Sequence, residues 1–310
     1  MKIYYFFSLF ILLILNPFRV DAITVSPAII DLQLDPGDSI TREITLYNET
    51  TDDLFIDGVI EKFVPNGENG QADILPFDIT DSSVNWIKLP INSLVLKVGE
   101  GITVPVIVTV PVTADVGGYY LAVMWQSSTA PKTEKSHQTL IASRVGVLML
   151  LGVNGEINNN LEINNFELRE SKDIYTNTSI DFLLRLRNIG NIHLKPQGSV
   201  IIKNFLGKTV EVLPINQEQR AILPNSNRIF NTAWHADSDQ FNFISKIVSQ
   251  LTDFSVGRFS AKAIVDYGND QSIESKPIYF WVIPWPLILL VIVSLVFIVG
   301  FVVKIKNKNK

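Results

Sequence analysis

Between Ile23 and Ile283 apolar and polar residues alternate with a period of two, in short runs broken by Gly, Pro, Asn and Asp. Ile40, Ile44 and Leu46 fall on one side of an extended chain and Thr41, Glu43, Thr45 and Tyr47 on the other, the pattern of a half-buried strand. The same phase recurs at Ile180, Phe182, Leu184 and Leu186, and again at Phe259, Ala261, Ala263, Val265 and Tyr267. The first half reads as strands over Ile23–Leu34, Ile40–Tyr47, Leu54–Phe63, Trp86–Leu89, Leu94–Val98, Ile102–Val110, Tyr119–Gln126 and His137–Val153. The second half reads as strands over Leu161–Leu168, Ser179–Arg187, Val200–Phe205, Val210–Ile215, Arg228–Trp234, Arg258–Tyr267 and Tyr279–Ile283. Turn signals stand between them: Asp35-Pro36-Gly37-Asp38, Gly99 with Gly101, Asn188 to Asn191, and Pro224-Asn225-Ser226. Strands separated by turns every 8–12 residues or so predict an all-β protein of sandwich type. The Asn- and Gly-rich stretch Asn154–Asn160 is a linker by composition, so two sandwiches are expected, over 23–154 and 155–283.

Four stretches depart from this pattern. Val147, Leu148, Met149, Leu150 and Leu151 are apolar at every position, so both faces of that strand, or its edge, need cover. Packing against the second domain or the loops above it is one reading, and a docking strand for another chain is the other. Phe243, Ile244, Ile247, Val248 and Leu251 recur at helical spacing and predict a short helix within Phe241–Phe254. Leu287–Val303 is almost wholly Leu, Ile, Val and Phe. As a helix rising ~1.5 Å per residue, the low-polarity run predicts a membrane span over 284–303, which makes the lipid bilayer a partner. Trp281 and Trp285 before it, and Lys304 and Lys306 after it, are the expected membrane-interface residues, with a basic cytoplasmic tail over 304–310. At the other end, Lys2, the apolar run Ile3–Leu15 and Val20-Asp21-Ala22 have the form of a signal peptide over 1–22. The expected location is the cell membrane, single-pass, with the β-domains outside the cytoplasm.

Composition narrows the chemistry. The 310 residues carry a formal net charge of −5, and the two ends hold most of the unbalanced bases, so the β-domains are more acidic still. A nucleic-acid partner is therefore not expected. There is no cysteine, so neither disulfides nor thiolate metal sites contribute. The sequons Asn48-Glu49-Thr50 and Asn177-Thr178-Ser179 matter only in a host that glycosylates. His137, His193 and His235 are scattered, with no serine elbow, metal-spaced pair or glycine-rich phosphate loop around them. Pro65 to Gly70 lacks the ligand spacing of a calcium loop. The reading is non-enzymatic, with no catalytic, cofactor or metal residue assigned.

Two sets of motifs carry a resemblance. Val25-x-Pro27, Asp35-Pro36-Gly37, Leu46-Tyr47-Asn48 and Val110-Pro111 followed by Gly117-Gly118-Tyr119 are similar to the first domain of WxL-interacting proteins. Asn188-x-Gly190-Asn191-x-His193, Leu223 to Ser226 and Gly257-Arg258-Phe259 before Tyr267-Gly268 are similar to the next domain of that family. The resemblance implies two tandem Ig-like β-sandwiches followed by a single transmembrane helix, a cell-surface location and binding of peptidoglycan, a surface protein, or both. The first domain also resembles periplasmic pilus chaperones, which implies an envelope assembly factor acting by β-strand donation. Against that second resemblance, Ile23–Ile30 holds no basic residue to anchor a terminal carboxylate.

Overall fold

The computed structural model describes residues 22–75, 82–129, 143–176, 180–234, 257–268, 270–283 and 285–308. His137, His235, the expected signal peptide apart from Ala22, the sequon at Asn177 and the helix expected within Phe241–Phe254 lie outside them. The chain divides into two compact units, Met1–Val64 with Ala72–Glu156, and Pro65–Gln71 with Ile157–Lys310.

The first unit is a sandwich of two sheets. One orders β1 (Ile23–Ser26), β3 (Ser39–Asn48), β8 (Gly101–Thr109) and β6 (Ile87–Lys88) as β1-β3-β8-β6. The other runs β2 (Ile29–Leu34), β10 (Ser143–Val153), β9 (Gly117–Thr129), β4 (Leu54–Asn66) and β5 (Gln71–Ile74), with β7 (Ser93–Leu96) also on β4. Alternation does what the sequence pattern predicts: Ile44, Leu46, Val104, Val106, Leu121, Met149 and Leu151 close over Trp125, which is fully buried. Gly58 sits in the middle of β4 because a Cβ there would come within 2.8 Å of the Trp125 ring and 2.9 Å of Leu89. The turn at Asp35 is closed by Asp38 N donating to Asp35 O at 3.0 Å, with Gly37 at φ 95°.

The second unit repeats the plan. β11 (Leu161–Leu168), β13 (Ile180–Asn188) and β16 (Asn227–Trp234) form one sheet. β12 (Ile174–Tyr175), β19 (Ile278–Val282), β17 (Gly257–Asp266), β14 (Gln197–Asn204) and β15 (Thr209–Ile215) form the other, with β18 (Ser272–Glu274) on β17. Its core is aromatic: the rings of Phe182, Phe259, Phe280 and Trp234 lie within 5.3–6.3 Å of their neighbours. In both units the opening segment changes sheet. β1 pairs antiparallel with β3 while β2 pairs parallel with β10, and β11 pairs antiparallel with β13 while β12 pairs parallel with β19. The run Ile23–Leu34, which the pattern reads as one strand, is thus two. Pro27 has no N–H to give to a ladder, so pairing stops there and resumes at Ile29.

One expectation is corrected. The C-terminal stretch is a helix, α1 (Trp285–Lys308), but the transmembrane helix expected over 284–303 does not stand. Among the described residues no helix is long and apolar enough to cross a membrane. The fold is all-β and Ig-like, two sandwiches and a C-terminal helix, and the single-pass description falls with the span. Of the expected interface residues, Trp281 projects outward from β19 at 46% exposure and Lys304 is exposed on α1. The side chains of Trp285 and Lys306 lie outside the described residues.

Candidate functional site: a half-open strand edge

β10 is the last strand of the first sandwich and runs alongside β9 for its whole length, from Ser143 opposite Ser127 to Val153 opposite Gly117. Its other side is only half occupied. β2 pairs with Leu148 to Val153, beginning at Ile29 opposite Leu148, and no described strand pairs with Ser143 to Val147 on that side. The cause is the change of sheet at Pro27: the residues before it belong to β1, which pairs with β3 on the opposite sheet and passes close to β10 without forming a ladder with it.

The polarity of this edge follows from strand geometry. Leu148 N donates to Ala28 O at 3.0 Å and Asn154 N donates to Leu34 O at 2.9 Å, so the even-numbered residues turn their backbone groups toward β2. Successive residues of a strand point their N–H and C=O to opposite sides, which places those of Arg144 and Gly146 on the open side. The odd-numbered residues face β9, where the Ser127 hydroxyl also donates to Ser143 O at 3.1 Å. Behind the edge, Val147 is fully buried and Val145 packs against the same core, so the strand is held from behind. On the outer face, Arg144 Nη2 donates to Glu61 Oε2 of β4 at 2.5 Å, so this side chain reaches across β9, away from the open edge.

The sequence-predicted docking strand lies just past this region. Val147, Met149 and Leu151 are in the core, Leu150 is 4% exposed and Leu148 half-buried, and from Leu148 onward both edges are paired. Val147, Met149 and Leu151 belong to the sandwich core, Leu148 and Leu150 on the opposite face do not, and the unpaired backbone is the shorter segment before them. Sequence reasoning missed that segment because Ser143-Arg144-Val145-Gly146 looks like any strand, and whether an edge is open depends on which strand reaches it.

His193 is buried in the turn after β13, and among the described residues no group of three His, Cys, Asp or Glu is placed to hold a metal ion.

No family model matches the chain, and no curated protein matches it. Among solved structures it is similar to a class 5 fimbriae chaperone, CfaA, at 11% identity and a TM-score of 0.41, over 85% of this chain and 100% of that one. It is also similar to the YadV chaperone, at 11% identity and a TM-score of 0.37, over 83% and 99%. A third is the SafA pilin in complex with the SafB chaperone of Salmonella enterica, at 10% identity and a TM-score of 0.37, over 86% and 99%. Likeness at this level assigns no activity. No family model stands behind the wall-glycan expectation, and it is not carried forward.

Proposed function

We propose that this chain is a non-enzymatic envelope assembly factor that pairs its β10 edge with an extended segment of a surface protein. The observation that carries the reading is the open side of Ser143 to Val147, where the N–H and C=O groups of Arg144 and Gly146 face away from β9. An unpaired edge backed by a rigid core is a template for strand addition: main-chain hydrogen bonds supply affinity and alternate side chains supply selectivity. The segment recognised is an extended one, paired along its main chain. An extracytoplasmic location belongs to the same proposal and is supported by the form of the N-terminal stretch.

The test uses proline against alanine at one position. A fluorescein-labelled peptide of alternating aliphatic and polar residues, long enough to lie along Ser143 to Val147, is titrated against the full chain. Arg144→Ala keeps the edge N–H and is expected to retain binding, whereas Arg144→Pro removes it and is expected to lose most of it. Equal binding by the two variants, or binding to purified peptidoglycan with none to the peptide, overturns the proposal.

A further inference from the structure

The turn between β14 and β15 places Phe205 and Leu206 at its tip, 68% and 75% exposed. Tips of tight hairpins ordinarily carry polar residues, and this one is built to hold its shape. The Asn204 side-chain oxygen accepts from Leu206 N at 3.1 Å and Lys208 N at 3.0 Å, Gly207 N donates to Asn204 O, and Gly207 takes φ 76°. Two large apolar side chains are therefore held out in solvent by a turn that has no internal need of them.

The tip continues into a row of similar character. Phe205 Cδ1 stands 3.6 Å from where a Cβ on Gly257 would be, which puts the tip at the end of β17. There Arg258 pairs with Trp281, and Trp281 pairs with Ile174 of β12. Trp281 is 46% exposed, Tyr279 54% and Ile174 55%, and the Arg258 guanidinium lies 4.3 Å over the Tyr279 ring. Lys203 and Lys208 flank the tip and are exposed. Among the described residues the acids on these neighbouring stretches are Asp173 beside Ile174 and Glu211 further along β15, so the described tip itself is basic on an otherwise acidic chain. The chain leaves this end of the sheet at Val282 and enters α1, whose described apolar side chains are about half exposed or more.

From this arrangement we infer that the end of the second sandwich is a contact surface for anionic lipid headgroups, with Phe205 and Leu206 entering the boundary of the acyl region. Apolar tips with amphipathic aromatics and a basic rim match that boundary, where rings and aliphatic chains find an apolar side and cations find phosphates. The contact is peripheral and is separate from the β10 edge.

The absence of cysteine makes the test direct. Leu206→Cys and, as a reference on the first sandwich, Val112→Cys are each labelled with an environment-sensitive dye in the full chain. Both are mixed with vesicles of phosphatidylcholine alone or with added phosphatidylglycerol, each carrying a spin-labelled lipid. A dye at Leu206, at a depth of about 5–10 Å, is expected to shift to the blue and be quenched several-fold more than one at Val112. That difference is expected in the anionic vesicles only, and is expected to shrink when Lys203 and Lys208 are both changed to Glu. Equal quenching at the two positions, or quenching at Leu206 that is the same in both kinds of vesicle, overturns the inference.

Discussion

Asn48 and Asn188 hold the same station in the two sandwiches. Each closes the second main strand of its unit, each is fully buried, and each uses its carboxamide in the same way. Asn48 Nδ2 donates to Asp52 O at 2.9 Å and Leu96 O at 3.0 Å, while its Oδ1 accepts from Thr50 N at 2.9 Å. Asn188 Nδ2 donates to Ile192 O at 2.7 Å and Ile222 O at 2.8 Å, while its Oδ1 accepts from Gly190 N at 2.9 Å. The main chain repeats it too: each asparagine N donates to a carbonyl of a following turn, Glu100 or Ser226, and each carbonyl accepts from that turn, from Gly99 N or Asn225 N.

A carboxamide with donor and acceptor both engaged has no isosteric substitute. Asn188→Ala leaves the Ile192 carbonyl and the Gly190 N–H without this partner, while Ile222 O keeps its bond from Leu194 N, at ~1–3 kcal/mol for each unmet group not rescued by water. Urea unfolding is expected to show a loss of several kcal/mol for Asn188→Ala, and a smaller one for Asn48→Ala, whose bond to Asp52 is only part-buried. No loss in either would mean that the turns hold themselves.

The aromatic core of the second unit sets up a contrast on one strand. Phe259 is 1% exposed and stacks on Phe280 at 5.9 Å, so Phe259→Ala is expected to cost ~3–5 kcal/mol. Lys262, on the opposite face of β17, makes an exposed ion pair with Glu274, and Lys262→Ala is expected to cost ~1 kcal/mol or less. Thermal unfolding of the two variants measures the difference.

Gly58 gives an overpacking test in the first unit. Gly58→Val sets branched carbons against Trp125 and Leu89 in a filled core, with an expected cost of ~1–3 kcal/mol and a changed Trp125 emission. Wild-type stability with unchanged emission would show that the indole has room to move.

Tyr175 makes the second unit sensitive to alkali. Burial first, and then the nearby Glu170 carboxylate, raise its pKa above the usual 10.0, while its hydroxyl donates to Glu170 O at 2.5 Å. The folded state therefore holds the phenolic proton more tightly than the unfolded state. This contribution is fully present below pH 10 and is lost as pH rises from there through the folded value. Unfolding free energy is expected to fall above pH 10 in the wild type and to fall less in Tyr175→Phe, which also lacks the hydroxyl's bond at every pH.

The sequence by itself determined the strands and their faces. Ile44 with Leu46, Phe182 with Leu184, and Phe259 with Ala261 are buried as a period of two requires, because each strand is wetted on one side and dry on the other. It missed β5, β12 and β18, whose few residues carry too little alternation to register. Only the tertiary structure decided the rest. Asn48 stands in a sequon and reads as a turn residue, yet its burial comes from Leu96, far along the chain, whose carbonyl needs a donor. Val147 to Leu151 looks like a surface in want of a partner, and only the fold shows that β2, arriving from the first residues of the domain, pairs with its edge from Leu148 onward. The open backbone of Arg144 and Gly146 lies where β2 stops short. Composition marks which side chains prefer burial, whereas an unpaired edge exists only through the strand that fails to reach it, which is a property of topology.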